Sequence, residues 1–299
     1  MIGQGADLAG SAGPAGQNVD RHGIIHSREM QKGPEQKMKV FDVHVHIYPD
    51  KIAEKASASV GAFYDGIPMH GNGTLEDCLR QQDEAGFTRF AAHSVALKPH
   101  NVESINRFIL GAQALHPERI VPFAAIHPEM EDMEATVRGI VEQGFKGIKI
   151  HPDMQRFQVD DPAVGPMMEA IEGRLPLLIH CGDVRYDYDG PQRILNLRRQ
   201  HPRLQIICAH FGGWSEWNRA EELLPGNGLF IDTSSSLYKW PAERALQAIR
   251  RFGVENVLFG TDYPMWNPKQ ELERFMQLRL SDAERADILW NNAQRILQL

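Results

Sequence analysis

The 299-residue sequence predicts an α/β fold, a (β/α)8 TIM barrel with a disordered N-terminal extension. Three observations carry that expectation. Short β-branched runs alternate with amphipathic segments of helical length, the pattern of βαβ units around a parallel sheet. Eight such units follow one another from Val40 onward, which points to closure into a barrel rather than an open sheet. Histidines and carboxylates gather at the C-terminal ends of the runs, where barrel enzymes carry their active sites.

The chain is expected to divide after residue 37. Residues 1–37 are rich in Gly, Ala, Gln and Ser and lack the apolar stretch of roughly 7–15 residues that a secretory signal needs. They read as a disordered tail, and residues 38–299 as the catalytic barrel. His22 and His26 fall in the tail and are set aside from the chemistry. The strand-like runs are Val40–Ile47, Phe87–Val95, Ile120–Ile126, Phe145–Ile150, Leu175–Ile179, Leu204–His210, Leu229–Asp232 and Val257–Gly260. Between and after them lie the helical segments Leu75–Glu84, Val102–Leu115, Met133–Gln143, Ala163–Glu172, Gln192–Gln200, Ser215–Leu223, Ala242–Arg251 and Lys269–Leu278. Gly144, Gly173 and Gly253 follow helical runs as C′ glycines do, and Pro117 and Pro202 close two others. Ser281–Leu297 reads as one or two further helices, opened by a capping box of Ser281 and Glu284. The glycine-rich stretch Gly61–Gly73 reads equally as a lid over the barrel mouth or as an irregular surface loop.

Composition narrows the function classes. Hydrophobic residues make up 42%, enough for a sizeable core, and the net charge is −7. That balance argues against nucleic acid or an anionic membrane as the main partner, since both need clustered Lys and Arg. The basic cluster Arg198–Arg203 sits where a helix should end, where cations are favourable. Cys78, Cys181 and Cys208 form no pair motif, so a reducing cytoplasm is expected. No apolar run of ~18 residues proposes a membrane span.

The strand ends carry His44 and His46, His93, His127, Lys149 and His151, His180, His210 and Asp262. Side chains at i and i+2 of a strand share a face, so His44 and His46 project together, with Asp42 on the same side and Val43 and Val45 toward the helices. Buried imidazoles need partners, and one ion would serve both; a purely structural pair is the other reading. Asp42 is expected behind them, holding one in its metal-binding tautomer. Barrel closure brings the last strand beside the first, and Asp262 with it. His180 and His210 end neighbouring strands, each followed by glycine. Two or three histidines and one carboxylate around an open position describe a catalytic rather than a closed structural site. Such an ion supplies hydroxide near neutral pH; Asp262 would take the water proton and His210 would act as acid, base or oxyanion partner. Arg185 is a candidate for a substrate carboxylate, or pairs with Asp187 or Asp189 instead. Trp214 and Trp217 would stack on a planar or cyclic substrate, or serve packing or a subunit interface as a helix-start pair.

The runs Asp42-Val43-His44-Val45-His46, Gly147–Pro152, Leu178–Gly182, Cys208–Gly213 and Phe259–Pro264 together resemble the amidohydrolase superfamily, and within it the amidohydrolase 2 branch. The resemblance covers residues 38–299 and includes nonoxidative decarboxylases of the aminocarboxymuconate-semialdehyde type. It implies one divalent ion, most often zinc with manganese as the alternative, bound by His44, His46, His180 and Asp262, and a catalytic His210. It implies a homodimer. Lys149 is then either the carboxylated lysine of binuclear members or, as the preferred reading, an unmodified lysine that binds a substrate carboxylate. His93, His127 and His151 are expected to line the mouth without binding the ion. The leading expectation is hydrolysis of an amide, ester or lactone of a small, carboxylated molecule. The alternative is metal-dependent nonoxidative decarboxylation. A barrel that only binds a ligand would lack one of the four metal positions, and none is missing.

Overall fold

A computed structural model describes residues 38–299, and the expected tail with His22 and His26 lies outside the described residues. Eight parallel strands follow in sheet order β1 to β8: β1 Phe41–His46, β2 Arg89–His93, β3 Ile120–Ala125, β4 Gly147–Ile150, β5 Leu177–Ile179, β6 Ile206–Cys208, β7 Phe230–Asp232 and β8 Val257–Leu258. The turn after β8 completes the ring: Val43 N donates to Phe259 O, His46 N to Tyr263 O and Asp262 N to His44 O, at 2.9, 2.8 and 2.8 Å. The expected alternation holds. The expected runs overshoot every strand by one or two residues at one or both ends, because apolar residues continue into the buried loops.

The helices are α1 Asp50–Phe63, α2 Leu75–Glu84, α3 Val102–Leu115, α4 Met133–Glu142, α5 Pro152–Gln155, α6 Gly165–Ile171, α7 Pro191–Gln200, α8 Trp217–Leu223, α9 Ala242–Phe252, α10 Pro268–Met276, α11 Asp282–Ala286 and α12 Asn292–Leu297. Local chemistry fixes their starts. Thr74, Asp132 and Asn267 each accept a backbone N–H at a helix N-terminus, and Ser281 with Glu284 forms the expected capping box. A π-helical turn, Asp287–Asn291, joins α11 to α12. Outward strand residues such as Val45, Phe90, Ile148 and Ile179 pack under the helices. Phe41, Val43, Val121, Phe123, Leu178, Ile207 and Leu258 form a second cluster inside the ring, joined by Ala293, Ile296 and Leu297 of α12. Each fully buried Leu, Ile or Phe contributes roughly 1.5–3 kcal/mol, so this inner plug is the rigid floor on which the site stands.

Two features depart from the sequence expectation. Helix α1 was not anticipated. It buries only Ala53, Ser57 and Gly61, so it carries no apolar stripe for periodicity to detect. Its small face lets it lie over the C-terminal mouth, and the Gly61–Gly73 stretch supplies its last turn and its return. Strand β1 also carries a β-bulge. Asp42 pairs with Phe90 but Val45 with Ala92, so three residues of β1 span two of β2. Val43 and His44 therefore both face inward, and the strict alternation expected for Val43 and Asp42 fails.

Among the described residues, no helix is long and apolar enough to cross a membrane. Cys78, Cys181 and Cys208 are free and buried.

Candidate metal-binding active site

The bulge aims His44 into the mouth, and its surroundings fix the ring. Asp232, at the end of β7, receives His44 Nδ1 at 2.8 Å, and both residues are buried. Gly260 makes room for this pair. A Cβ there would lie 3.0 Å from His44 Cβ and 3.3 Å from Asp232 Cγ. The orienting role expected of Asp42 belongs to Asp232. Because of the bulge Asp42 points outward, where it accepts from Gln82 Nε2 at 2.9 Å, Thr261 N at 2.9 Å, the Thr261 hydroxyl and His44 N at 3.1 Å. It splices β1, α2 and the turn after β8.

With Nδ1 donating to Asp232, the neutral His44 ring turns its Nε2 lone pair into the cavity. His46 Nε2 lies 3.3 Å away, and Asp262 Oδ1 lies 3.5 Å from each of these nitrogens. Asp262 sits in a left-handed backbone conformation, φ 64°, and Ser235 Oγ donates to its other oxygen at 2.6 Å. Two imidazole nitrogens and a carboxylate oxygen thus converge with no proton assigned between the His44 lone pair and the carboxylate. That donor set, two neutral imidazoles and a carboxylate, suits a divalent cation. The spacing also fits: ligands ~2.0–2.1 Å from a tetrahedral ion stand about 3.3–3.4 Å apart. Burial pushes the His44 and His46 rings down from their ordinary range, with the Lys149 charge adding to it, and a neutral ring is the form that ligates. Burial pushes the Asp262 carboxyl up to about 7, against the Ser235 hydroxyl and Lys149. Lys149 Nζ, fully buried, lies 3.3 Å from His44 Nε2.

His180 and His210 stand across the mouth. His180 Nδ1 is 3.0 Å from His210 Nε2 and 3.4 Å from the Tyr64 hydroxyl. His180 does not hydrogen-bond to the His44, His46 and Asp262 cluster. Its Nε2 faces Asp153 Oδ2 at 3.4 Å without a hydrogen-bond partner, and both Asp153 oxygens are likewise unpartnered. Burial raises the Asp153 carboxyl to about 7, and Asp183 adds to this. His151 stacks on His180, centroids 3.9 Å apart, and its Nε2 meets the Tyr64 hydroxyl at 2.8 Å. His210, also left-handed at φ 59°, holds Nδ1 3.3 Å from Ser234 O and 2.9 Å from Ser234 Oγ. A carbonyl only accepts, so the neutral His210 ring carries its proton on Nδ1 and presents the Nε2 lone pair. Gly182, at φ 78°, lets the loops after β5 and β6 touch: a Cβ there would meet Gly213 Cα at 2.5 Å.

These groups line one cavity of about 680 Å³, walled by Val60, Phe63, Tyr64, Leu97, Met154 and Met265. Left-handed residues other than glycine are uncommon, and three of them, His210, Asp262 and Arg156, lie on its wall. Lys149 lines it as expected. His93 is wholly buried against the His46 ring, centroids 4.4 Å apart, with neither ring nitrogen partnered. His127 Nδ1 accepts from Glu129 N at 3.3 Å, a loop contact. Trp214 packs against Tyr64 and His210, behind the wall rather than on it. Arg185 is committed elsewhere. It forks onto Asp183 at 2.7–3.1 Å, reaches Asp65 at 3.2 Å and donates to Phe63 O at 2.9 Å. Sequence reasoning passed over Tyr64, Asp153, Asp232, Ser234 and Ser235. Only Asp232 carried a usable signal, as a carboxylate closing a strand.

The profile of the Amidohydrolase family matches residues 41–299. Among curated proteins, the chain is 24% identical over 249 residues to gamma-resorcylate decarboxylase of Polaromonas sp., covering 65% of this chain and 75% of that one. Among solved structures, a dihydroxybenzoic acid decarboxylase from Polaromonas sp., with bound manganese and the inhibitor 2-nitroresorcinol, superposes with a TM-score of 0.69 at 18% identity, covering 88% of this chain and 97% of that one. A 5-carboxyvanillate decarboxylase from Novosphingobium aromaticivorans, complexed with manganese and 4-hydroxy-3-methoxy-5-nitrobenzoic acid, gives 0.69 at 17% identity over 92% and 100%. At these identities the superpositions speak for the barrel alone. The family profile spans the whole barrel from β1 to the last helix, and the chain belongs to the amidohydrolase family of enzymes.

Proposed function

We propose that this enzyme is a metal-dependent nonoxidative decarboxylase of a small aromatic carboxylic acid. The observation that carries the proposal is the likeness to gamma-resorcylate decarboxylase over 249 residues. It reverses the order of the two sequence readings and sets hydrolysis second.

His44, His46 and Asp262 would hold the divalent ion, zinc or manganese; His180, on β5, would join them only by turning its Nε2 away from Asp153. When bound, such an ion supplies positive charge to the substrate's carboxylate and any neighbouring phenolic oxygen. The chain's residues do the rest. Apolar walls from Val60, Phe63 and Met265 cover an aromatic ring and keep water away. The bond from ring carbon to carboxylate carbon breaks, CO2 leaves, and the ring carbon keeps the electron pair and takes up one proton. That proton comes from solvent: the His210 Nε2 lone pair takes it up and passes it to the ring carbon, the imidazole being held by Ser234. Lys149, buried beside His44, offers its ammonium to a substrate oxygen.

The test is CO2 release from a panel of hydroxybenzoates, vanillate-type acids and muconate-like acids by the metal-loaded enzyme. Turnover of at least one ortho-hydroxylated aromatic acid is expected. Cleavage of esters, lactones or amides with no CO2 from any acid would overturn the proposal in favour of hydrolysis.

A further inference from the structure

We infer that the cavity holds an apolar subsite at its mouth, formed by one face of α1 and the loop after β2, which takes a hydrophobic substituent of the substrate remote from the reacting carbon. This rests on the aromatic-acid reading for the reacting end, and it narrows the substrate class to acids with an alkyl or aryl extension.

The sequence of α1 gives it two faces. Ala53, Ser57 and Gly61 repeat every four residues and form its buried stripe, and all three are small. They dock on the return segment: the Ser57 hydroxyl donates to Asn72 O at 3.1 Å, and Gly61 O accepts from Gly66 N at 2.8 Å. Such a face buries little apolar surface. The larger apolar residues fall on the other face. Ile52, Ala56, Val60 and Phe63, spaced i, i+4, i+8 and i+11, form one stripe along the helix, and all four line the cavity.

An apolar helix stripe ordinarily meets the core. Here it meets the cavity instead. Ile52 is 50% exposed, as is Leu97 of the loop after β2, which lines the same cavity. Among the described residues, neither joins a hydrophobic core cluster. Val60 and Phe63 carry the stripe inward to the buried cluster of Tyr64 and Met265. The exposed end of the stripe is therefore continuous with the wall around His210 and Lys149, and a molecule bound at those groups is what would cover it. The volume agrees, since about 680 Å³ suits a drug-sized ligand and exceeds the needs of one benzoate ring. Lys55 and Arg156, the charged residues at the mouth, are exposed and keep their charge in water beside the stripe.

The experiment measures binding rather than turnover. Calorimetry with the metal-loaded full chain would follow two series: 2-hydroxybenzoates carrying methyl, propyl or pentyl para to the carboxylate, and straight-chain carboxylates from butanoate to decanoate. Affinity is expected to rise roughly two- to fourfold per added methylene in at least one series. Ile52→Gln and Leu97→Gln, both at half-exposed positions, should melt with the wild type, and each should cut the ratio of longest-chain to shortest-chain affinity by about threefold or more. Affinity that stays flat or falls with chain length in both series, no binding of any of these acids, or a ratio untouched by both substitutions would overturn the subsite. A flat series from a dimeric chain that either substitution dissociates would also overturn it, and would hand the stripe to a second copy of the chain. A rising series with no CO2 from any acid would keep the subsite and count against the decarboxylase reading alone.

Discussion

Asp232 Oδ2 accepts a hydrogen bond from His44 Nδ1 at 2.8 Å, and this pair decides which nitrogen of His44 faces the cavity. Its Ser234 neighbour links the same carboxylate to His210, since Ser234 Oγ lies 3.1 Å from His44 Nδ1 and 2.9 Å from His210 Nδ1. One buried acid therefore orients histidines from β1 and β6. Groups behind a ligating histidine typically carry 10–100-fold in metal affinity. Asp232→Asn is expected to weaken affinity for zinc or manganese by about that factor in a chelator competition, with unchanged far-UV circular dichroism. Unchanged affinity would show that His44 needs no such partner.

The convergence of His44, His46 and Asp262 makes a prediction about stoichiometry. The chain expressed without chelator should contain about one equivalent of a divalent metal by elemental analysis. His46→Ala and Asp262→Asn should each reduce that content sharply while the barrel stays folded. Enzyme that is fully active after exhaustive metal removal would exclude the assignment. His210→Gln is the contrasting variant: it should retain the metal and lose about 100-fold or more in turnover.

How much of this was legible beforehand differs by element. The eight-fold alternation and the C-terminal placement of His44, His46, His180, His210 and Asp262 follow from side-chain periodicity, which a single sequence displays directly. The bulge in β1 does not, because the extra residue shows only in the pairing of Asp42 and Val45 with β2. That one residue moved Asp42 out of the site. Helix α1 was hidden by its small, barely apolar face, and Tyr64 with it. Asp232 was visible as a strand-end acid, but only the ring of strands brings β7 within reach of β1. Arg185 shows the converse. Its position past β5 suggested substrate, yet Asp183, two residues earlier, already occupies its fork.

Arg185 leads to a prediction about stability. Its guanidinium bridges the loop after β5 to the end of α1 through Phe63 O and Asp65. Asp183 is almost wholly buried, and its pairing with Arg185 outweighs the effect of burial and holds the carboxyl below its usual range. Arg185→Ala leaves that carboxylate without its partner. Stability is expected to fall by about 1–2 kcal/mol at neutral pH, the partial exposure of the arginine limiting the loss. Because the folded pKa of Asp183 is depressed, its contribution is present above the unfolded value near 3.8 and disappears as pH falls through the folded one. Denaturant unfolding should therefore separate the variant from the wild type at pH 7, with the gap narrowing as the pH is lowered below 3.8. A variant with native stability and a raised KM would instead restore Arg185 to the substrate.

Glu271 on α10 gives the opposite pH dependence. It is fully buried, and burial raises its carboxyl from 4.5 to about 7, opposed by Arg274 and assisted by the charge of Asp42. Between those two values the native state holds a proton that the unfolded chain has released. Stability from this group is therefore complete below about pH 4.5 and declines as pH rises to about 7, at no more than ~1.4 kcal/mol per pH unit. Glu271→Gln keeps the shape and removes the titration. Thermal melts from pH 5 to pH 8 should show the variant gaining on the wild type as pH rises, with the separation growing through pH 6–7. Asp42, raised to about 6 mainly by its own burial, titrates in both proteins, and only its coupling to Glu271 enters the difference. Parallel melting curves across the range would mean that Arg274 keeps Glu271 ionised, and that its burial is sustained by the ion pair rather than by a proton.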